Sequence, residues 1–410
     1  MSFALSEQHK MVGQMVRGWC EKRLAPEVPA MEHGEQQPFA LMREMAKTFG
    51  LDQMAAGGVK KRIAKLRDGS ASEGAPTELV EGAGGDPMLM FVVVKELSRI
   101  SPGFAMGFGV SVGLAGGALM SKGTADQLER WALPVVTLQK IGSWCLTEPG
   151  AGSDAFGSMK TTARPDGGDG YLINGSKTFI TNGPGADVFL VYARIDRGQP
   201  RADQSVATFI IDRDTPGFSV GKPFAKMGMR DSPTSEIFLE DVRVSVAHLL
   251  GGEEKGAGGR KDTKESLSNE RSGIPAMAWG IVERCYELAL GYARERIQFG
   301  RPIGEFQAVQ LRLADMFIKL KNVENIVFRT AWMQKHKVKD PAFVNASKAY
   351  CSQVAVDVAM NAIQVHGGYG YMEEYGLEKL ARDAKLLELG AGTTDINLLS
   401  AARQELGFGG

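Results

Sequence analysis

The chain predicts a multidomain α+β protein: an N-terminal helical domain, a middle antiparallel β domain and a C-terminal four-helix bundle. Three observations carry that reading. Apolar residues recur at helical spacing in the first third and again in the last 145 or so residues. Between them the period changes to two, with turn signals and no long helix. And 410 residues are too many for one ordinary core, so two or three domains are expected.

In residues 1–136, HKMVGQMVRGWCEKRLAPEV places Met11, Met15, Val16 and Cys20 at helical spacing, and Pro26 closes the run. MLMFVVVKELSRI, residues 88–100, reads as a buried helix ended by Ser101-Pro102-Gly103. Between them Lys60, Lys61, Arg62, Lys65 and Arg67 cluster ahead of the Gly-rich GSASEGAPTELVEGAGGDP. That stretch, 58–87, is either a short basic helix with a solvated loop or an insert that shapes a pocket and meets an anionic substrate.

In residues 137–250 the strand candidates are Tyr171–Ile173, Thr178–Thr181, Val188–Ala193, Ala207–Ile211 and Ser235–Val244. Asn174-Gly175, Asn182-Gly183-Pro184-Gly185 and Thr215-Pro216-Gly217 are the turn signals between them. Without intervening helices this is not a nucleotide-binding βαβ unit. GGEEKGAGGRKDTKE, residues 251–265, reads as a connector. From 265 to 410 the helical period returns: Phe306, Val309, Leu313, Met316, Phe317 and Leu320 step by three and four, as do Val354, Val358, Ala362 and Val365.

Bulk properties narrow the function. Lys+Arg and Asp+Glu are 48 each, a balance that argues against nucleic-acid binding. The N-terminus has no signal-like apolar core, and no run is expected to reach the ~20 apolar residues of a membrane span. The four cysteines are far apart without a CxxC, which reads as reduced thiols of a cytoplasmic protein. The five histidines make no ligand spacing, so no metal is expected.

Four stretches carry the chemistry. WCLTEPGAGSDAFGS, 144–158, combines a hydroxyl with small residues that let a backbone approach a ligand; its G-x-G alone is only a tight turn. INGSKTFITNGPGADVFLVYAR spans 173–194, RERIQFGRPIGEFQAVQLRLADM spans 294–316, and QVHGGYGYMEEYGLEKLARDAK spans 364–385 before running into ELGAGTTDIN, 388–397. In this order and at these separations, from about Phe104 to the C-terminus, the chain resembles the acyl-CoA dehydrogenase family.

The resemblance implies that family's three-domain fold and non-covalent FAD between the β domain and the bundle. It implies oxidation of a CoA thioester between Cα and Cβ to the trans-enoyl-CoA, with hydride passing from Cβ to flavin N5. It further implies electron-transfer flavoprotein as acceptor and a homotetramer in which one subunit helps bind its neighbour's FAD. Trp144, Leu146 and Thr147 match the segment at the flavin's polar edge, and Ser153 matches a serine on the CoA chain. Phe179, Ile180 and Thr181 fall where the family packs a Trp and a Thr on the flavin; Phe179 keeps the aromatic face and loses the indole N–H. Arg296, Phe299 and Gln307 match residues that reach the adjacent subunit's FAD, where an Arg fork suits a pyrophosphate. Gln364, Val365, Gly367 and Gly368 match the Gly-rich turn on the adenosine portion, with His366 read as a satisfied loop histidine. Thr393 and Asp395 match the segment on the FAD phosphates, Asp395 replacing a Gln or Glu.

The reaction needs a carboxylate base, and many relatives place a Glu where this chain has Ala391. Its backbone N–H, with Gly392 beside it, is left to polarise the thioester carbonyl. Isovaleryl-CoA and long-chain acyl-CoA dehydrogenases carry Gly-Ala-Gly-Thr here and use a glutamate on another helix. In LSNERSGIPAMAWGIVE, 267–283, Glu270 followed by Arg271 matches that alternative position, with Arg271 on the local structure or the CoA side. The competing reading of Glu270 is a first-turn residue after a Ser268 N-cap, complementing the helix dipole. Glu388 is the reserve base and Asp395 a weaker one. Rival functions on the same fold are an acyl-CoA oxidase and a catalytically silent flavin-binding protein. The absence of the family's common Pro-Glu-x-x-Gly-Gly turn, in the region bordering the acyl pocket, points to a branched, aromatic or dicarboxylic substrate.

Overall fold

The computed structural model of the chain describes residues 4–70, 86–254 and 258–408; the side chains of 258–270 lie outside that description. Most of the Gly-rich part of 58–87 therefore falls outside the described residues, as do the side chains of Ser268 and Glu270.

The N-terminal domain is helical. Helix α1 (Glu7–Trp19) opens on a reciprocal cap in which the Ser6 hydroxyl accepts from the His9 amide and the His9 ring accepts from the Ser6 amide. Helices α2 (Phe39–Thr48) and α3 (Leu51–Arg67) follow. Helix α3 buries Val59, Arg62 and Ile63, while Lys60, Lys61 and Lys65 lie on its exposed side and Arg67 pairs with Glu129 at 2.7 Å. Helix α4 (Pro87–Ile100) begins as the proline requires, with Asp86 as its cap and Pro87 at the first position.

Helix α5 runs from Pro102 to Lys122 and is long and apolar enough to cross a membrane, contrary to the expectation that no run reaches that length. Most of it is buried inside the fold, so length and composition here report a core helix. It packs so closely on the first strand that a Cβ at Gly142 would lie 2.8 Å from the Ala115 methyl.

The middle domain is one curled sheet of β1 (Gly142–Cys145), β2 (Thr162–Pro165), β3 (Gly170–Thr181), β4 (Val188–Ile195), β5 (Val206–Asp212), β6 (Phe218–Val220) and β7 (Thr234–Ser245). Central β4 is buried along its whole length. It pairs antiparallel with β5 on one edge; on the other it pairs parallel with β1 and, at its far end, with β2. The sheet is thus antiparallel except for those two pairings. Asn174-Gly175 is not a turn. It lies inside β3 at a bulge, where the ladder to β7 shifts between Ile173 and Gly175, and Asn174 bridges to Asp241 through both its side-chain atoms. Strands β1, β2 and β6 escaped the sequence reading because three or four residues carry too little alternation.

Five helices form the C-terminal part: α6 (Gly258–Glu295), α7 (Gln307–Lys335), α8 (Pro341–His366), α9 (Leu377–Leu389) and α10 (Thr394–Glu405). Val354, Val358, Ala362 and Val365 are all buried, as are Met316 and Leu320, whereas Phe317 is turned outward. Helix α6 starts at Gly258, so half of the supposed connector is helical and Glu270 lies more than three turns in, not in a first turn. A Cβ at Gly280 would lie 2.2 Å from the Lys95 carbonyl oxygen, which fixes how tightly α6 crosses α4. Around that crossing Glu283 receives Arg99 at 2.9 Å, Lys95 at 3.0 Å and Arg17 at 3.3 Å.

The three parts are locked where the loop before β7 meets α9. Buried Lys379 donates to Asp383 at 2.5 Å and Asp231 at 3.1 Å; Asp383 also takes the Met229 amide and Asp231 the Ser101 hydroxyl. Burial, reinforced by Asp231, raises the Asp383 carboxyl against the pull of Lys379.

Candidate active site

The loop that leaves β1 is held from below by a buried ion pair. Lys177, on β3, donates to Glu148 at 2.8 Å and to the Leu146 carbonyl at 3.2 Å. Glu148 also accepts the amides of Lys160 and Thr161, and the Thr178 amide donates to the Thr147 carbonyl at 2.9 Å. Burial depresses the Lys177 ammonium; Glu148, although burial would raise it, is held below the usual carboxylate range by Lys177 and the amides. Thr147 is half-buried above this pair and Ser153 is exposed at the loop's crown, with open space around Gly150 and Gly152. Trp144 donates its indole N–H to the Tyr192 hydroxyl at 2.9 Å, and Leu146 is buried in the cluster of Met159, Tyr192 and Val206. The side chains of these two residues brace the loop from inside the β domain.

At the end of β3 the ladder shifts again, between Lys177 and Ile180, and Phe179 takes a left-handed backbone with φ 58°. A non-glycine residue adopts that conformation when its surroundings impose it, typically at functional sites. The result is a ring 68% exposed, with Phe224 5.8 Å away, between buried Thr178 and Ile180; Thr181 is half-buried and its carbonyl takes the Ser143 hydroxyl.

A second group lies at the far end of α6. Strands β8 (Ile297–Gln298) and β9 (Arg301–Pro302) form a minimal hairpin turned by Phe299 and Gly300, both with positive φ, as a primed two-residue turn demands. This leaves Phe299 93% exposed, the extreme among the large apolar side chains described. The Arg296 guanidinium lies over the Tyr369 ring at 5.6 Å, next to Gly367 and Gly368, which have open space where a Cβ would be; Gln364 is exposed and Val365 buried. Gln307 is exposed at the first turn of α7. His366 is buried, stacked on Tyr292 at 4.2 Å, with Nδ1 on the Ala362 carbonyl.

The third group is the terminal loop. Ala391 and Gly392 have φ 55° and 87°, and Thr393 caps α10 by accepting the Ile396 amide. Arg271 Nε donates to the Ala391 carbonyl at 3.0 Å, with Nη1 on Asn345 at 3.0 Å. Lys348 donates to the Gly392 carbonyl at 2.6 Å, and buried Asn397 donates to the carbonyls of Gly392 and Thr393. Asp395 is exposed in the first turn of α10, and the Glu388 carboxylate is paired with Lys385. Glu270, whose side chain lies outside the described residues, precedes the residue that grips Ala391.

Sequence reasoning missed Lys177, Glu148, Lys348, Asn345 and Asn397. The signal for Lys348 was present: it shares a helical face with Cys351, Ala355 and Ala359, all buried, so a charge there needs a partner.

An exposed aromatic face, a Gly-rich backbone on the β domain, and a capped helix N-terminus beside backbone amides fit a flat ring system carrying phosphates. The comparisons agree. Models of the acyl-CoA dehydrogenase N-terminal, middle and C-terminal domains match residues 68–139, 143–242 and 257–406. The chain is 35% identical to a probable acyl-CoA dehydrogenase of Bacillus subtilis over 99% of its own length and 100% of that protein's. It is also 35% identical to a caffeyl-CoA reductase–Etf complex subunit of Acetobacterium woodii, over 95% and 96% of the two chains. The solved butyryl-CoA dehydrogenase of Megasphaera elsdenii superposes with a TM-score of 0.86 at 32% identity, covering 99% of this chain and 100% of that one. This chain belongs to the acyl-CoA dehydrogenase family and is an FAD-dependent dehydrogenase of acyl-CoA thioesters.

Proposed function

We propose that Glu270 is the base that removes the α-proton and that the substrate is an acyl-CoA with a branched or aromatic acyl group. The carrying observation is the bond from Arg271 to the Ala391 carbonyl. It puts the α6 backbone that bears Glu270 beside the loop where the usual glutamate is replaced by alanine. The alternatives are weaker: Glu388 is paired with Lys385, and Asp395 is exposed beyond the loop on α10.

FAD, when bound, supplies the hydride acceptor. This chain's own residues do the rest. Phe179 offers the ring system an aromatic face, and the loop from Thr147 to Ser153 offers backbone and hydroxyl groups to its edge and to the CoA chain. The backbone amides of the loop from Ala391 to Thr393 face charge on the thioester oxygen while Glu270 takes the proton, help that is worth about 10²–10⁴-fold. Arg296, Gln307 and the 93% exposed Phe299 serve a neighbouring subunit's cofactor in a homo-oligomer, which would cover that ring. Electron-transfer flavoprotein is the acceptor, a reading supported by the Acetobacterium relative, a subunit of an Etf complex.

The substrate class draws support from the same relative, whose name gives an aromatic acyl group. A dicarboxylic substrate is less well supported, because Lys60, Lys61 and Lys65 lie on the exposed side of α3 and Arg67 is paired. Anaerobic mixing with straight, branched, aromatic and dicarboxylic acyl-CoAs tests both points. Branched or aromatic thioesters should bleach the flavin of the wild type, and Glu270→Gln should bind them and stay yellow. Equal bleaching by the variant would remove Glu270 from the reaction.

A further inference from the structure

Two cations hold the terminal loop by consecutive carbonyl oxygens. Arg271 reaches the Ala391 oxygen at 3.0 Å, and Lys348 reaches the Gly392 oxygen at 2.6 Å. Lys348 is completely buried in α8, within one turn of Cys351 and Ser352, which are equally buried. An ammonium is held so deep only for a specific partner, and one of its partners is this carbonyl.

The consequence follows from peptide geometry. In a trans peptide the N–H points away from the C=O. Carbonyls drawn toward α6 and α8 therefore turn the amides of Gly392 and Thr393 to the opposite side of the loop. A cation on the oxygen polarises the peptide and makes its N–H a better donor. The same grip holds Ala391 at φ 55°, a backbone that alanine adopts only under constraint.

We propose that Lys348 and Arg271 are positioning residues for α-proton abstraction. They fix and polarise the backbone from Ala391 to Thr393 so that its amides meet the charge building on the thioester oxygen. The Cα–H bond breaks, the proton passes to the carboxylate base, and the electron pair delocalises onto that oxygen as an enolate; reprotonation reverses the step without any redox change. This rests on the reading of the terminal loop as the thioester site.

The test isolates proton transfer. Enzyme whose FAD has been reduced beforehand is mixed with a saturated acyl-CoA in D₂O, and deuterium entering Cα is measured by mass spectrometry. Steady-state kcat, KM and FAD content are measured on the oxidised enzyme. Lys348→Met should slow both exchange and kcat about tenfold or more, less than loss of a direct oxyanion donor, while KM and FAD content stay within about twofold. Lys348→Arg should recover most of the exchange, because it restores the charge. Ser352→Ala, one turn away and bonded to the Leu387 carbonyl, should exchange like the wild type. Exchange at the wild-type rate in Lys348→Met overturns the proposal. So does a loss that tracks FAD content and is not rescued by arginine. If Lys348→Met does not fold, Arg271→Gln takes its place: without the charge it should exchange more slowly at normal FAD content, and wild-type exchange would overturn the proposal. Wild-type enzyme that exchanges no acyl-CoA would instead sink the thioester reading, and the proposal with it.

Discussion

The loop from Leu146 to Ser153 and the loop from Gly390 to Thr393 both have cations on their carbonyl oxygens, but they are gripped in different ways. The first is held within one domain by Lys177, whose charge is neutralised by Glu148 in the same loop. The second is held by Arg271 and Lys348, 120 and 44 residues away on two other helices, both donating to backbone oxygens. Local neutrality suits a loop that frames a cofactor edge. A grip by two cations from distant helices suits a loop that must meet developing negative charge.

That contrast can be broken by experiment, beginning with the chemistry. Glu270→Gln should lower kcat by about 10²–10⁴-fold with acyl-CoA binding retained, as read by anaerobic stopped-flow reduction of the flavin.

Next is the neutral loop. Lys177→Met leaves Glu148 buried without its partner and should cost about 3–5 kcal/mol in denaturant unfolding, with loss of FAD. Lys177→Met combined with Glu148→Leu should recover part of that stability. If the single variant is as stable as the wild type, the ion pair does not hold the loop.

The pH dependence sharpens the comparison. Glu148 is held below its ordinary carboxylate value in the folded protein, so its contribution is present above the unfolded value near 4.5 and is lost as pH falls through the folded one. The Tm gap between wild type and Glu148→Gln should therefore be wide at pH 7 and narrow in acid below pH 4.5. A gap that stays constant would show that the charge is not what matters.

Smaller effects are expected at the flavin face. Phe179→Ala should weaken FAD binding about threefold to tenfold, measured by fluorescence titration of the apoprotein, and leave apoprotein stability unchanged because the ring is 68% exposed. The smallest effect is at sulfur. Burial pushes the thiols of Cys20 and Cys285 up to about 12, and those of Cys145 and Cys351 higher still. The native protein should react with a thiol reagent at pH 8 only as fast as it unfolds.

The two loops also differ in how far they could be read in the chain. WCLTEPGAGS is a contiguous stretch whose glycines and hydroxyls announce a backbone close to a ligand, and the strand that supports it follows within 30 residues. Even there, the side chains of Trp144 and Leu146 turn into the domain, since alternation along a short strand says which residues share a face but not which face meets the ligand. ELGAGTTDIN showed what was missing, an acid at Ala391, and Glu270-Arg271 showed where it could have gone. What joins them was not legible. Ser268 looked like a cap because the run before it is rich in glycine and charge, yet the helix continues back to Gly258. Asn174-Gly175 looked like a turn because that dipeptide favours positive φ, yet pairing to β7 on both sides absorbs it as a bulge.

The sequence by itself determined what depends on neighbours along the chain: the change of period that separates helices from sheet, the glycine-rich approaches, and the alanine where a base is usual. Only the tertiary structure decided that Arg271 and Lys348 close on adjacent carbonyls of one loop, that Phe179 is driven outward by a ladder shift, and that α5 is a core helix despite its membrane-like length. Each of these depends on which surface an element is pressed against. Hydrogen-bond geometry and burial set that only once distant segments have met.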